Sequence, residues 1–147
     1  MCGVLGMVAA PSRKDAIPRE RFQRALDVLK HRGPDGQGQY QDGHVWLGHT
    51  RLSILDLSSA GKQPMQSPDG RFVISYNGEV YNFRELATAH GLNNLRSGSD
   101  TEVVLQLFAD HGVASLVELN GIRPDAFWTA RSVQFSVEDT EFHDLGE

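Results

Sequence analysis

Met1-Cys2-Gly3-Val4-Leu5-Gly6-Met7-Val8 sets the only cysteine of this 147-residue chain one position behind the initiator methionine, at the head of an apolar run. Val4, Leu5 and Val8, with Pro11-Ser12-Arg13-Lys14-Asp15 closing the run, read as a buried strand over residues 3–9 followed by a loop. A strand that begins at position 3 holds Cys2 at its first edge. If Met1 is removed, Cys2 carries both a thiol and a free α-amino group, the arrangement in which a nucleophile is activated by its own amine. An α-amine ordinarily titrates near ~8 and a thiol near ~8.5, so a proton passes between such groups at low cost near neutrality. A lone cysteine is equally an ordinary small packing residue, and residues elsewhere must decide between the two.

The length sets the expectation of one compact domain whose core needs no disulfide or metal brace. A single cysteine excludes an internal disulfide and a cysteine-rich zinc site, and it fits a reducing compartment. No apolar run reaches transmembrane length and the N-terminus lacks a secretory signal pattern, so a soluble, cytoplasmic protein without a membrane partner is expected. The formal net charge is −5, from 14 Lys and Arg against 19 Asp and Glu, with the basic residues scattered. That is not the footprint of a nucleic-acid binder, and a small polar substrate is expected instead. The six histidines show no metal-ligand spacing and no glycine-rich phosphate loop occurs, so no metal site is expected.

Pro18 opens a helix, where its missing N–H is no loss, and Phe22, Ala25, Leu26 and Leu29 repeat along one packing face. His31-Arg32-Gly33-Pro34-Asp35-Gly36 stops it and reads as a loop. Asp42-Gly43 signals a hairpin between two strand-like pieces, the second carrying Val45, Trp46 and Leu47 and running on through Gly48-His49-Thr50-Arg51-Leu52-Ser53-Ile54-Leu55. Alternation from Arg51 puts Arg51 and Ser53 on one face, Leu52 and Ile54 on the other. Arg51 is then a solvated edge residue or, in its sharper use, a bidentate clamp on a carboxylate.

Gly61-Lys62-Gln63-Pro64-Met65 and Ser67-Pro68-Asp69-Gly70 read as a loop and a turn before the strand Arg71-Phe72-Val73-Ile74-Ser75-Tyr76. It ends at Asn77-Gly78, which reads either as a type I′ hairpin turn or as a side-chain amide and a backbone N–H aimed at a developing oxyanion. Asn82 with Glu85 makes a capping box for a helix ending near Gly91. Ser99-Asp100-Thr101-Glu102 starts another, buried through Val103, Val104, Leu107 and Phe108 and ended by Gly112. Ser99 or Asp100 caps that helix, and the Asp100 carboxylate can also face a substrate ammonium. A short helix over residues 114–119 precedes Asn120-Gly121.

Five of these motifs, in order over residues 1–121, resemble the glutamine-hydrolysing domain of class II amidotransferases in the form carried by asparagine synthetases. They are Met1-Cys2-Gly3, His31-Arg32-Gly33-Pro34-Asp35, Gly48-His49-Thr50-Arg51-Leu52-Ser53-Ile54, Tyr76-Asn77-Gly78-Glu79-Val80-Tyr81-Asn82 and Ser99-Asp100-Thr101-Glu102. The resemblance implies an α+β fold, an αββα four-layer sandwich of N-terminal nucleophile hydrolase type. It implies that Cys2 is the nucleophile and that glutamine is hydrolysed to glutamate and ammonia through a thioester on Cys2. Asn77 and Gly78 would stabilise the oxyanion, Arg51 would hold the substrate α-carboxylate, and Asp100, with Glu79 nearby, would hold the α-ammonium. No cofactor is implied for glutamine hydrolysis.

In the family this domain continues with further core strands and is followed by an ATP-dependent synthetase domain that uses the ammonia to make asparagine. No Ser-Gly-Gly-x-Asp-Ser pyrophosphate loop occurs here, so ATP and Mg are expected only with a synthetase domain that this sequence lacks, as a partner domain or subunit. Residues 1–121 are therefore expected to be the N-terminal part of the amidotransferase domain, truncated at its C-terminal end. Residues 122–147, where apolar patterning fails apart from Ser132-Val133-Gln134-Phe135-Ser136-Val137, read as a divergent or frame-shifted tail. Two alternatives to catalysis for asparagine synthesis stay open, a non-catalytic glutamine-binding or partner-binding module and an amidotransferase for a different acceptor acid. A homo-oligomer is also left open.

Overall fold

The computed structural model describes residues 2–9, 18–43, 45–54, 56–122 and 127–129. The first sheet is built by local chemistry. β2 (Gly36–Asp42) and β3 (Val45–Arg51) form the expected hairpin, with Gly43 at a φ of 55° that only glycine adopts without strain. β1 (Gly3–Val8) joins the other edge of β3, antiparallel, with Gly3 opposite Thr50 and Val8 opposite Val45. The order is β1-β3-β2, which makes β3 the central strand and explains why Trp46 through Thr50 are all buried.

Strand alternation then decides what each face of β3 meets. Trp46 packs on Phe22 and Leu26 of α1 (Arg19–Val28), the helix that follows Pro18. Leu47, pointing the other way, packs on Val73 of β5 (Val73–Tyr76). β5 lies between β4 (Met65–Gln66) and β8 (Phe127–Thr129), antiparallel to both. Its own alternation sends Ile74 and Tyr76 into a second core with Val80, Leu86, Val103, Leu107 and Phe108. Leu86 comes from α2 (Phe83–Ala89), the last three from α3 (Asp100–His111). A separate pair, β6 (Glu79–Val80) and β7 (Gly121–Ile122), is antiparallel. The chain is an α+β domain of antiparallel strands and three α-helices among the described residues.

Several local expectations are corrected. Asn77-Gly78 is no hairpin turn, because the strands on either side of it belong to different sheets and do not pair with each other. β3 ends at Arg51 and does not run on through Ile54, which is 73% exposed. Asp35 explains the departure, since its carboxylate Oδ2 accepts the Ser53 N–H at 2.8 Å and draws the chain off the sheet. Gly36 is the first residue of β2, not part of the loop before it. Asn82 makes no capping box with Glu85; its side chain instead donates to Glu118 O at 2.9 Å and accepts from Asn120 N at 2.8 Å. The expected helix over residues 114–119 is a 3-10 turn over Gly112–Glu118. The Ser132 to Val137 strand lies outside the described residues.

Candidate active site

Cys2 stands immediately before β1 and is held on three sides. The Arg32 Nε donates to its carbonyl oxygen at 3.1 Å, and the next N–H, from Gly3, donates to Thr50 Oγ1 at 3.1 Å. Thr50 in turn donates to Leu29 O at 3.0 Å, so the turn after α1, the end of β3 and the start of β1 are tied at one point. The half-buried sulfur accepts from Leu52 N at 3.4 Å and donates to Leu52 O at 3.7 Å. The thiol is therefore seated against the residue that follows Arg51.

Arg51 is half-buried at the end of β3, where its guanidinium donates to two carbonyls of the loop beyond, Ser58 O at 2.7 Å and Asp56 O. It lines a cleft with Asp35, Gly38, Lys62 and Gln63. Asp56 carries the connection further, because its carboxylate accepts from Ser58 N at 2.7 Å and from Gly98 N at 2.9 Å. Those hydrogen bonds, from the Ser58 side chain and backbone and then Gly98, hold the Asp56 carboxyl below its usual range. Gly98 lies two residues before Asp100, so the loop anchored by Arg51 is stitched to the start of α3.

Asp100 is only 5% exposed. Its Oδ2 accepts from Val80 N at 2.9 Å and its Oδ1 from Thr101 N at 2.8 Å, which locks the first turn of α3 to β6. Capping of the helix falls to Ser99, whose hydroxyl accepts from Thr101 N at 3.2 Å. Glu102 reaches back to the segment before it, accepting from Arg96 N and from both the backbone and hydroxyl of Ser97. Burial pushes the Glu102 carboxyl up, but these bonds outweigh it and hold the group below its usual range.

Asn77 and Gly78 are half-buried and Glu79 is exposed, all on the link between β5 and β6. A Cβ added at Gly78 would come within 2.5 Å of the phenol oxygen of Tyr76, itself buried, so the link passes too close to that ring for any side chain. Burial, with Asp100 and Glu79 adding negative charge, pushes the Tyr76 hydroxyl far up and keeps it protonated.

Sequence reasoning missed the residues that join these pieces. His49, two positions before Arg51, uses its Nε2 against the Tyr76 carbonyl at 3.2 Å, immediately before Asn77. A carbonyl only accepts, so this ring nitrogen carries the proton. Burial lowers the His49 pKa to about 4 against the pull of that hydrogen bond, with the Arg51 charge adding to the fall, so the imidazole is neutral at pH 7. Its signal in the sequence was a histidine at an inward position of a strand with buried neighbours on both sides. Cys2 and Arg51 thus belong to one cluster, Asn77, Gly78 and Asp100 to another, and His49 and Tyr76 connect them. Among the described residues, no group of three or more His, Cys, Asp and Glu could hold a metal ion.

A sequence model of the glutamine amidotransferase domain matches residues 1–139. The chain belongs to that family. The amidotransferase domain is 36% identical to asparagine synthetase [glutamine-hydrolyzing] 1 of Arabidopsis thaliana over 137 residues, 93% of this chain and 23% of the relative. It is 38% identical to the asparagine synthetase [glutamine-hydrolyzing] of Sandersonia aurantiaca over 122 residues, 83% of this chain and 23% of that one. Asparagine synthetase [glutamine-hydrolyzing] 2 of Bacillus subtilis is 34% identical over 130 residues, 87% of this chain and 17% of its own. This is a glutamine amidotransferase domain like those of asparagine synthetases, and it spans about a quarter of the length of the first of these relatives, 23%. No helix among the described residues is long and apolar enough to cross a membrane.

Proposed function

We propose that the amidotransferase domain hydrolyses glutamine to glutamate and ammonia through a thioester on Cys2. The observation that carries the proposal is the link Asn77-Gly78. It is a strong hairpin dipeptide that makes no hairpin, is followed two residues on by the Val80 N–H that the buried Asp100 carboxylate accepts, and is joined through His49 to the strand end against which Cys2 is seated. With Met1 removed, the α-amine takes the thiol proton and the thiolate attacks the side-chain amide carbon of glutamine. The Asn77 Nδ2 and the Gly78 N–H stabilise the oxyanion, worth roughly 3 kcal/mol per donor in comparable sites. The α-ammonium returns its proton to the departing nitrogen, ammonia leaves, and water hydrolyses the thioester to glutamate and the free thiol.

Charge pairing selects an amino acid over a plain amide. Arg51 holds the α-carboxylate; a guanidinium has five donors, so bonds to two carbonyls do not exhaust it. Asp100 receives the α-ammonium, with exposed Glu79 nearby, because its Oδ2, which accepts the Val80 N–H, has a second acceptor site. The fold that supports the site is an αββα sandwich of N-terminal nucleophile hydrolase type. In favour of it, α1 covers one face of β3, β5 covers the other, and α2 and α3 lie beyond β5.

In a longer protein the ammonia would pass to an ATP-dependent synthetase domain or subunit that makes asparagine. The relatives' names support that destination. Nucleotide sequence across the Gly121 codon distinguishes a shifted frame from a divergent ending for residues 122–147.

Intact mass establishes whether Met1 is lost, after which glutamate release from glutamine is followed. Cys2→Ala abolishes that release; full-rate hydrolysis by the variant would sink the assignment. Glutamine binding by calorimetry without turnover in the Met1-free wild type points to the non-catalytic module instead.

A further inference from the structure

We infer that Gln63 is a positioning residue that sets the span between the two ends of the glutamine site, and so the chain length of the amide that is hydrolysed; this rests on the function proposed above. Gln63 is 8% exposed and its amide is bonded at both ends. Oε1 accepts the Tyr76 N–H at 2.6 Å, and Nε2 donates to Thr101 Oγ1 at 3.2 Å. The orientation of the amide is not arbitrary, because the Tyr76 N–H can only donate. Thr101 Oγ1, accepting from Gln63, uses its own proton toward Asp100 Oδ1 at 3.4 Å. One arm of a single buried amide thus ends at the residue before Asn77, the other at the residue after Asp100.

The register explains why a side chain does this. Met65 opposite Ile74 places Gln63 opposite Tyr76, but β4 starts only at Met65, after Pro64, and the Gln63 amide serves the Tyr76 N–H where the backbone ladder stops. The Gln63 backbone is itself pressed against β2, since a Cβ added at Gly38 would collide with the Gln63 carbonyl oxygen. His49 fixes the Tyr76 carbonyl from the opposite side. Both backbone groups of Tyr76 are therefore held by side chains from other elements, and only Gln63 also reaches α3.

In the proposed site, Asn77 and Gly78 receive the side-chain amide oxygen and Asp100 the α-ammonium. Their separation measures the substrate, two methylenes for glutamine and one for asparagine. Loss of the Gln63 bonds lets that separation vary, so it costs turnover and, more tellingly, selectivity.

Three variants separate the arms. Gln63→Leu removes both, Gln63→Glu keeps an acceptor for Tyr76 but no donor for Thr101, and Thr101→Val removes the far arm together with the Thr101 bond to Asp100. Each is assayed with Met1 removed for kcat and KM on glutamine and on asparagine, with thermal unfolding as the fold check. We expect KM for glutamine to rise roughly tenfold in Gln63→Glu and Thr101→Val with kcat little changed. In Gln63→Leu kcat falls as well, and the glutamine-to-asparagine ratio of kcat/KM narrows in all three. An unchanged ratio, with both substrates slowed in parallel, overturns the inference and leaves Gln63 a merely structural residue. If Gln63→Leu does not fold, the same ratio in Gln63→Glu decides the matter. A wild type that binds glutamine without hydrolysing it overturns the catalytic reading only. The inference then requires the calorimetric Kd to weaken roughly tenfold in Gln63→Glu, and an unchanged Kd overturns it. A wild type that neither binds nor hydrolyses glutamine overturns both.

Discussion

His49 couples the site to pH through stability. Its folded pKa of about 4 lies below the ordinary 6.5, chiefly because burial disfavours the charged ring. Between those values the unfolded chain binds a proton that the folded chain refuses. The His49 contribution is therefore complete above pH 6.5 and is lost as pH falls toward 4, for a loss on the order of 3 kcal/mol across the window. A melting-temperature series from about pH 7 to about pH 4 should fall, and His49→Gln, which keeps a donor for the Tyr76 carbonyl but cannot titrate, should flatten that part of the fall. An identical slope in the variant would assign the acid sensitivity to other groups. The same residue marks where sequence reading stopped. Arg51 and Asn77 stand out because a cation in a strand and a turn dipeptide are local anomalies, whereas the bonds of His49 to Tyr76 and of Gln63 to Thr101 close over 27 and 38 residues. No local pattern announces such partners.

At the scale of elements, legibility followed the range of the forces. The hairpin at Asp42-Gly43 and the buried faces of α1 and α3 depend on turn chemistry and on the 3.6-residue period, and both were readable. Asn77-Gly78 carries as strong a turn signal, yet β6 pairs with β7, more than thirty residues on, and the hairpin never forms. The capping reading divided similarly. Ser99 caps α3 through its own hydroxyl, while Asn82 is drawn away from α2 by Glu118 and Asn120. Because α3 is the most buried helix among the described residues and begins at Asp100, its cap has leverage on both stability and the site. Ser99→Ala should lower stability by about 1 kcal/mol, read as a shift in the urea midpoint with an unchanged slope. No shift would mean that the Asp100 bond to Thr101 N already satisfies the helix end.

Among the described residues three buried clusters stack across the molecule, with Leu47 and Val73 between β3 and β5 as the wall, one outer cluster closed by α1 and the other by α2 and α3. That wall depends on residues beyond Asn120. β8 covers one edge of β5 over Ile74, Ser75 and Tyr76, and Gly121–Ile122 supply the only strand paired with β6 among the described residues. A chain stopped after Asn120 turns β5 into an edge strand and strips backbone partners from residues whose side chains are buried. Each buried backbone group left unpaired costs about 1–3 kcal/mol, so the melting temperature should fall on the order of 10 °C. Amide exchange should quicken first at Ser75, in the peptide stretch that leads into Asn77, and glutamine hydrolysis should weaken with it. An unchanged melting temperature and unchanged exchange would place the whole stable domain within residues 1–120. The strands after them would then be ornaments on a sheet that stands alone, and the truncation expected from the sequence at Gly121 would cost the site nothing.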